Sequence, residues 1–382
     1  MLNEEILVRK SIDIVIVGGG LLGMMSAHYL AESGFKIALF DKSKFAGESS
    51  WAGGGILTPL YPWRYDNAIN DLAFRSQKLY PSLITDLREK SSIDPQYYNS
   101  GILIPATEID QYASDWLQNY KVNYRAALDS ERKNVAVEDN YFLLPDICQV
   151  RNPRLASALK STLQQNKSVT LYEHSAVNQI TPISSDQINI QTDHGEFSAS
   201  KAIISAGAWS GKILRQLGIS VPVKPVQGQM ILFKAPAGLV PSIILAEGKY
   251  IIPRLDGHVL VGSTMEDVGF NKCTTQQAYD SLMEFVRFRC PVLAQNPVVK
   301  HWSGLRPASP KGIPFIFQHP EYQSLYVNAG HFRNGVVLAP ASAELVRDLI
   351  LGTQSVLNPQ AYAYDHLISD IELEDNPIFS VG

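Results

Sequence analysis

The stretch Gly18-Gly19-Gly20-Leu21-Leu22-Gly23 constrains this chain more than any other. It follows a β-rich apolar run, Ile12-Asp13-Ile14-Val15-Ile16-Val17. It opens a segment where Leu22, Met25, Tyr29 and Leu30 recur at helical spacing, and Gly34 closes that segment. A second strand is predicted over 36–40, with Asp41 at its tip. Strand, turn, helix and strand within about thirty residues make a βαβ unit. A glycine triplet alone often marks a plain tight turn. In this setting Gly18, Gly20 and Gly23 let the backbone approach a pyrophosphate, the helix N-terminus favours its charge, and Asp41 can accept from ribose hydroxyls. The fingerprint points to a dinucleotide without separating FAD from NAD.

A second glycine loop helps to separate them. Ser49-Ser50-Trp51-Ala52-Gly53-Gly54-Gly55 offers further N–H and hydroxyl donors, which an extended FAD would use along its length. Read on glycine content alone, it is a flexible loop with Trp51 packed beneath. Beyond it, a long helix is predicted over 66–90, a short strand over 101–104, a polar loop over 129–140 and a helix over 153–165. Strands follow over 169–172, 176–181, 187–192, 196–199 and 202–207, then over 227–234, 242–245, 250–253 and 258–262. A helix over 275–288 precedes a strand over 299–305. Such βαβ ends around a β-rich middle predict an α/β chain (α+β overall), with a Rossmann-like nucleotide domain and a sheet-based second domain threaded through it.

Size and charge narrow the function. The 382 residues leave room for two domains. A net charge of −4 without a Lys/Arg cluster argues against a nucleic-acid partner. Cys148, Cys273 and Cys290 are odd in number and in no metal spacing, which fits a reducing compartment. His28, His174, His194, His258, His301 and His319 are dispersed and make no recognisable metal set. The opening MLNEEILVRKS lacks the pattern of a signal peptide, and no apolar run is long enough to span a membrane. A cytoplasmic location is expected.

The hexamer Gly330-His331-Phe332-Arg333-Asn334-Gly335 lies between Leu325-Tyr326-Val327 and Val336-Val337-Leu338, both of which read as buried. A bland turn would use small neutral residues. His331, Arg333 and Asn334 suggest that something negatively charged, or about to become so, sits there.

Taken in order, Gly18-x-Gly20-x-x-Gly23, Ser49-Ser50-Trp51-Ala52-Gly53-Gly54-Gly55, Ala206-Gly207-Ala208-Trp209, Gly304-Leu305-Arg306-Pro307 and the hexamer resemble the D-amino acid oxidase superfamily of flavoproteins, most closely its glycine oxidase branch. The resemblance runs over about 12–352. It implies a noncovalent FAD, since Arg306-Pro307-Ala308-Ser309 offers no thiol and Cys273 and Cys290 fall outside the flavin motifs. It implies an FAD-binding domain from 1–78, 145–222 and 305–365, an interleaved antiparallel-sheet substrate domain from 79–144 and 223–304, and a C-terminal tail, 366–382. Cofactor contacts are implied at Gly18, Gly20, Leu22, Gly23, Asp41, Lys42, Ser49, Ser50, Ala52, Gly53, Gly54, Val177, Ala206, Gly207, Trp209, His331, Phe332, Arg333, Asn334 and Gly335.

The same resemblance places the substrate. Arg306 matches the guanidinium that clamps a carboxylate, Tyr250 the hydroxyl that supports it, Met265 a pocket-wall residue, and Arg333 a second arginine near the substrate. Without it, Arg306 reads as a solvated loop residue, Tyr250 as a cross-strand aromatic and Met265 as core. The implied reaction is oxidation of glycine, sarcosine or a small D-amino acid. Hydride passes to flavin N5, the imino acid is hydrolysed to an oxo acid and ammonia or an amine, and dioxygen becomes hydrogen peroxide. A dehydrogenase handing electrons to a quinone or protein acceptor is the alternative. The branch leaves room for a homo-oligomer. The aromatic-rich segment 57–65 departs from it and is expected to reshape the active site.

Overall fold

The computed structural model describes residues 12–136 and 140–372; the N-terminal segment 1–11, residues 137–139 of the polar loop and residues 373–382 of the tail lie outside the described residues. Two eight-stranded sheets organise the chain. In the first, Leu325–Ala329, Gly195–Ile204, Ile12–Val17, Ile37–Phe40 and Val169–Tyr172 lie side by side and parallel, with Phe315–Gln318 antiparallel at the edge. The central strands are continuous buried apolar runs, as a parallel sheet covered on both faces requires. The stretches expected over 196–199 and 202–207 join into one strand, Gly195–Ile204. Its first half pairs antiparallel with Gln187–Thr192, and its second half enters the parallel sheet.

The helices Leu21–Glu32, Asn152–Gln165 and Gly335–Leu351 pack on this sheet, and Asn67–Ser91 packs on the last two of them. Pro340 stands inside Gly335–Leu351 and has no N–H for the Val336 carbonyl four residues back. The Tyr80 hydroxyl donates to that carbonyl instead, at 2.5 Å. Nearby, the Ala341 N–H donates to Ser76 Oγ at 3.0 Å, and Arg75 forks both carboxylate oxygens of Glu344 at 2.7 Å. Proline thus creates an orphan acceptor that the long helix Asn67–Ser91 satisfies.

The second sheet runs Val298–Ala308, Lys224–Lys234, His258–Gly262, Lys249–Pro253, Ile243–Ala246, Ile102–Pro105, Tyr141–Leu144, Arg125–Ala126. It is antiparallel except where Ile243–Ala246 runs parallel to Ile102–Pro105. The helix Gln276–Arg289 covers one face through Leu282, Phe285 and Val286. The longest ladder joins Lys224–Lys234 to Val298–Ala308, with Gly228 opposite Gly304.

Candidate active site

A cavity of about 420 Å³ runs from the first glycine turn past the second glycine loop to the second sheet. Every expected cofactor residue lines it except Gly23. The reason is steric. A Cβ on Gly23 would stand 1.9 Å from the Gly18 carbonyl oxygen, so this glycine seats the helix against the turn. Gly18 itself has φ +112°, where an L side chain is strained.

Asp41 braces the turn it serves. Its Oδ2 accepts from the Gly19 N–H and its Oδ1 from the Ser43 N–H, both at 2.8 Å, while burial pushes its carboxyl up. Ser50 Oγ accepts from the Leu21 N–H at 2.9 Å, which ties the second loop to the start of the first helix. The Lys42 ammonium sits 3.2 Å from the centre of the Trp209 ring, and burial lowers its pKa.

The residues fit an extended FAD on a further ground. Among the described residues Ser175 Oγ, Ser205 Oγ, Asn328 Oδ1 and Asn334 Nδ2 are buried without a hydrogen-bond partner, and all four residues line the cavity. Buried polar groups need partners, and phosphates, ribose hydroxyls and a flavin edge supply both donors and acceptors.

Tyr250, Arg306 and Arg333 line the cavity together. Tyr250 comes from the strand Lys249–Pro253 and is buried. Arg306 lies within Val298–Ala308 rather than in a solvated loop. Its Nη1 donates to the carbonyls of Gln227 at 3.3 Å and Thr264 at 3.1 Å, and its Nη2 donates to Ser263 Oγ at 2.6 Å. Arg333 Nη2 donates to the Gly248 carbonyl at 3.0 Å. Both arginines therefore bond neutral groups in these contacts. Burial lowers the pKa of Arg306; nearby Tyr250 raises it, and repulsion from Arg333 lowers it.

Met265 stands apart. It is 43% exposed and does not line the cavity; Ser263 and Met230 do. Of the segment 57–65, Thr58 and Leu60 line the cavity, and Tyr61 and Trp63 are buried in a core cluster with Ile102, Ile243 and Ile252 of the second sheet. His331 is buried, its Nε2 lies 2.9 Å from Ser342 Oγ, and desolvation pushes its pKa down to about 3.

The sequence reading passed over Arg254, which is buried and donates to the Gly54 carbonyl, the Gln149 side chain and the Val150 carbonyl. Its signal was an arginine directly after the apolar strand Tyr250-Ile251-Ile252-Pro253. His28, grouped above with dispersed histidines, meets Glu32 at 3.6 Å and Asp86 at 3.5 Å. Lys90 binds both acids, at 3.4 and 2.7 Å, so the two carboxylates are ion-paired to Lys90, while burial lowers the pKa of His28 between them.

A dinucleotide cradle that ends at Arg306 of the second sheet and Arg333 of the turn before Gly335–Leu351 fits an FAD-dependent oxidoreductase. The chain belongs to the DAO family, FAD dependent oxidoreductase, whose model matches residues 13–349. It is 39% identical over 363 residues to the glycine oxidase of Pseudomonas aeruginosa, covering 92% of this chain and 98% of that protein. It is 40% identical over 356 residues to the glycine oxidase of Pseudomonas putida, with the same two coverages. The crystal structure of glycine oxidase from Geobacillus kaustophilus superposes with a TM-score of 0.86 at 27% identity, covering 92% of this chain and 98% of that one. The protein is an enzyme of the FAD-dependent amino acid oxidase class, and FAD is its cofactor. Among the described residues no helix is long and apolar enough to cross a membrane.

Proposed function

We propose that the protein oxidatively deaminates glycine, sarcosine or a small D-amino acid, yielding an oxo acid, ammonia or an amine, and hydrogen peroxide. The observation that carries this reading is Arg306 beside Tyr250 at the second-sheet end of the cofactor cavity. A planar guanidinium is the side chain best suited to a buried carboxylate. Among the described residues Arg306 bonds only neutral groups, so its charge is available to the substrate. The glycine oxidase relatives support glycine as the first substrate to try.

Bound FAD supplies the two-electron acceptor, which dioxygen regenerates. Arg306 binds the substrate carboxylate, Tyr250 supports it, and Arg333 adds a second positive charge. Two guanidinium groups disfavour a protonated amine beside them, which keeps the substrate in the form that can release a hydride. His331 is neutral at physiological pH and engaged with Ser342, so it serves the turn rather than proton transfer. The turn at Gly330 and the N-terminus of Gly335–Leu351 favour an anion at their end of the cavity.

The test is anaerobic titration of the holoenzyme with glycine, sarcosine and a panel of D- and L-amino acids, followed by air. Bleaching that air reverses quickly, with peroxide formed, supports the oxidase. Bleaching that persists in air favours a dehydrogenase using a quinone or protein acceptor. A flavin that none of the panel bleaches overturns the amino acid assignment.

A further inference from the structure

The donors of Arg306 are unevenly spent. A guanidinium carries five N–H groups. Two on Nη1 go to the Gln227 and Thr264 carbonyls, and one on Nη2 goes to Ser263 Oγ. These three contacts leave the N–H of Nε and one N–H of Nη2, two nitrogens flanking one edge of the planar group, with the Tyr250 hydroxyl as a further hydrogen-bond partner of the guanidinium. A bidentate carboxylate needs such an edge.

The guanidinium can lie this way because position 228 has no side chain. A Cβ on Gly228 would stand 2.1 Å from both Nη1 and Nη2 and 2.3 Å from Cζ. Contacts that short are impossible, so any other residue at 228 would move the arginine. Across the ladder, a Cβ on Gly304 would stand 2.7 Å from the Ala52 Cβ. The paired glycines thus make room for Arg306 at one position and for the second glycine loop at the other.

Two carbonyls on Nη1 pin only one end of the plane. The contact from Ser263, which is 8% exposed and lines the cavity, pins the other. We propose that Gly228 and Ser263 are positioning residues for Arg306: Gly228 leaves the space in which the guanidinium lies, and the Ser263 hydroxyl fixes its rotation so that the Nε–Nη2 edge meets the substrate carboxylate. This rests on Arg306 being the carboxylate clamp.

Acetate, a bare carboxylate, tests it without turnover, through the absorbance change of the bound flavin in the holoenzyme. Ser263→Ala is expected to weaken acetate about 5- to 10-fold, less than a full hydrogen bond to a charged group, because the hydroxyl orients the guanidinium and does not itself touch acetate. It should raise KM for the amino acid by a similar factor with a smaller change in kcat. Ser263→Thr restores the hydroxyl and recovers most of both. Gly228→Ala, with flavin retained, weakens acetate more than Ser263→Ala does; if it fails to fold, the Ser263 pair decides alone. Met265→Ala, exposed and outside the cavity, leaves both readouts unchanged. Acetate affinity of Ser263→Ala equal to wild type, or no recovery in Ser263→Thr, overturns the positioning role alone. A wild-type holoenzyme that binds no acetate overturns the clamp, and this inference with it.

Discussion

Arg254 donates from Nη2 to the carbonyl oxygen of Gly54 at 2.6 Å, joining the second sheet directly to the cofactor loop. Its Nη1 donates to Gln149 Oε1 at 2.5 Å and to the Val150 carbonyl at 3.0 Å. Burial lowers its pKa to about 10, so it stays charged at neutral pH. Arg254→Leu strands three buried acceptors and should destabilise the protein by about 3 kcal/mol. Because one acceptor lies in the glycine loop, flavin retention should fall as well. Thermal melts with the released flavin followed by fluorescence check both. Lower stability with unchanged flavin retention would show that Arg254 braces the sheet alone.

Gly23 gives a second prediction. The 1.9 Å approach of its would-be Cβ to the Gly18 carbonyl leaves no room for alanine without lifting the helix from the turn. Gly23→Ala should weaken FAD binding to the apoprotein by about 10- to 100-fold, as expected when backbone donors at a helix N-terminus are displaced. Gly34→Ala is the contrast. A Cβ there meets nothing within 4 Å, although φ is +92°. It should cost about 1 kcal/mol of stability and leave FAD affinity unchanged. Quenching of flavin fluorescence on reconstitution separates the two.

Local signals carried most of the fold. Ile12–Val17, Leu21–Glu32 and Ile37–Phe40 were legible because a short apolar period, three spaced glycines and Asp41 lie within one unit. Tyr141–Leu144 was missed because it is four residues long and pairs with the distant Ile102–Pro105. Lys201 hid the continuity of Gly195–Ile204, where its half-buried position is tolerated. Met265 shows a limit of a different kind. Thr264 Oγ1 and Glu266 Oε1 meet at 2.6 Å, and both engage the buried Gln229. Alternation along an extended backbone then sends the intervening Met265 outward. That direction depends on Gln229, distant in sequence and on another strand. The cradle of Arg306 was illegible for the same reason, since Gly228 and Ser263 gain meaning only once the ladder is formed.

The two arginines should differ in what they lose. Arg306 uses several donors of a planar fork, so Arg306→Lys keeps the charge and forfeits the geometry. The expected fall in kcat/KM is about 100-fold, with flavin still bound. Among the described residues Arg333 makes one hydrogen bond, to the Gly248 carbonyl, which a lysine ammonium can also make. Arg333→Lys should fall by about 10-fold or less. Steady-state kinetics on flavin-loaded protein rank the pair. Equal losses would mean that Arg333 also meets the substrate as a fork.

His331 should write itself into the acid stability of the protein. Its folded pKa is pushed down to about 3 by burial, against an ordinary histidine near 6.5. Between those values the unfolded chain takes up a proton that the folded chain refuses, so stability rises with pH across this window and is lost as pH falls below about 6.5. From pH 7 to pH 5 the contribution amounts to about 2 kcal/mol. His331→Gln removes the titrating group. Urea unfolding at the two pH values should therefore show wild type losing about 2 kcal/mol more than the variant. Equal losses would mean that the imidazole is protonated in the folded state. A charged imidazole would add a positive group at the turn where Arg333 already stands, and the assignment of His331 as a neutral turn residue would fall.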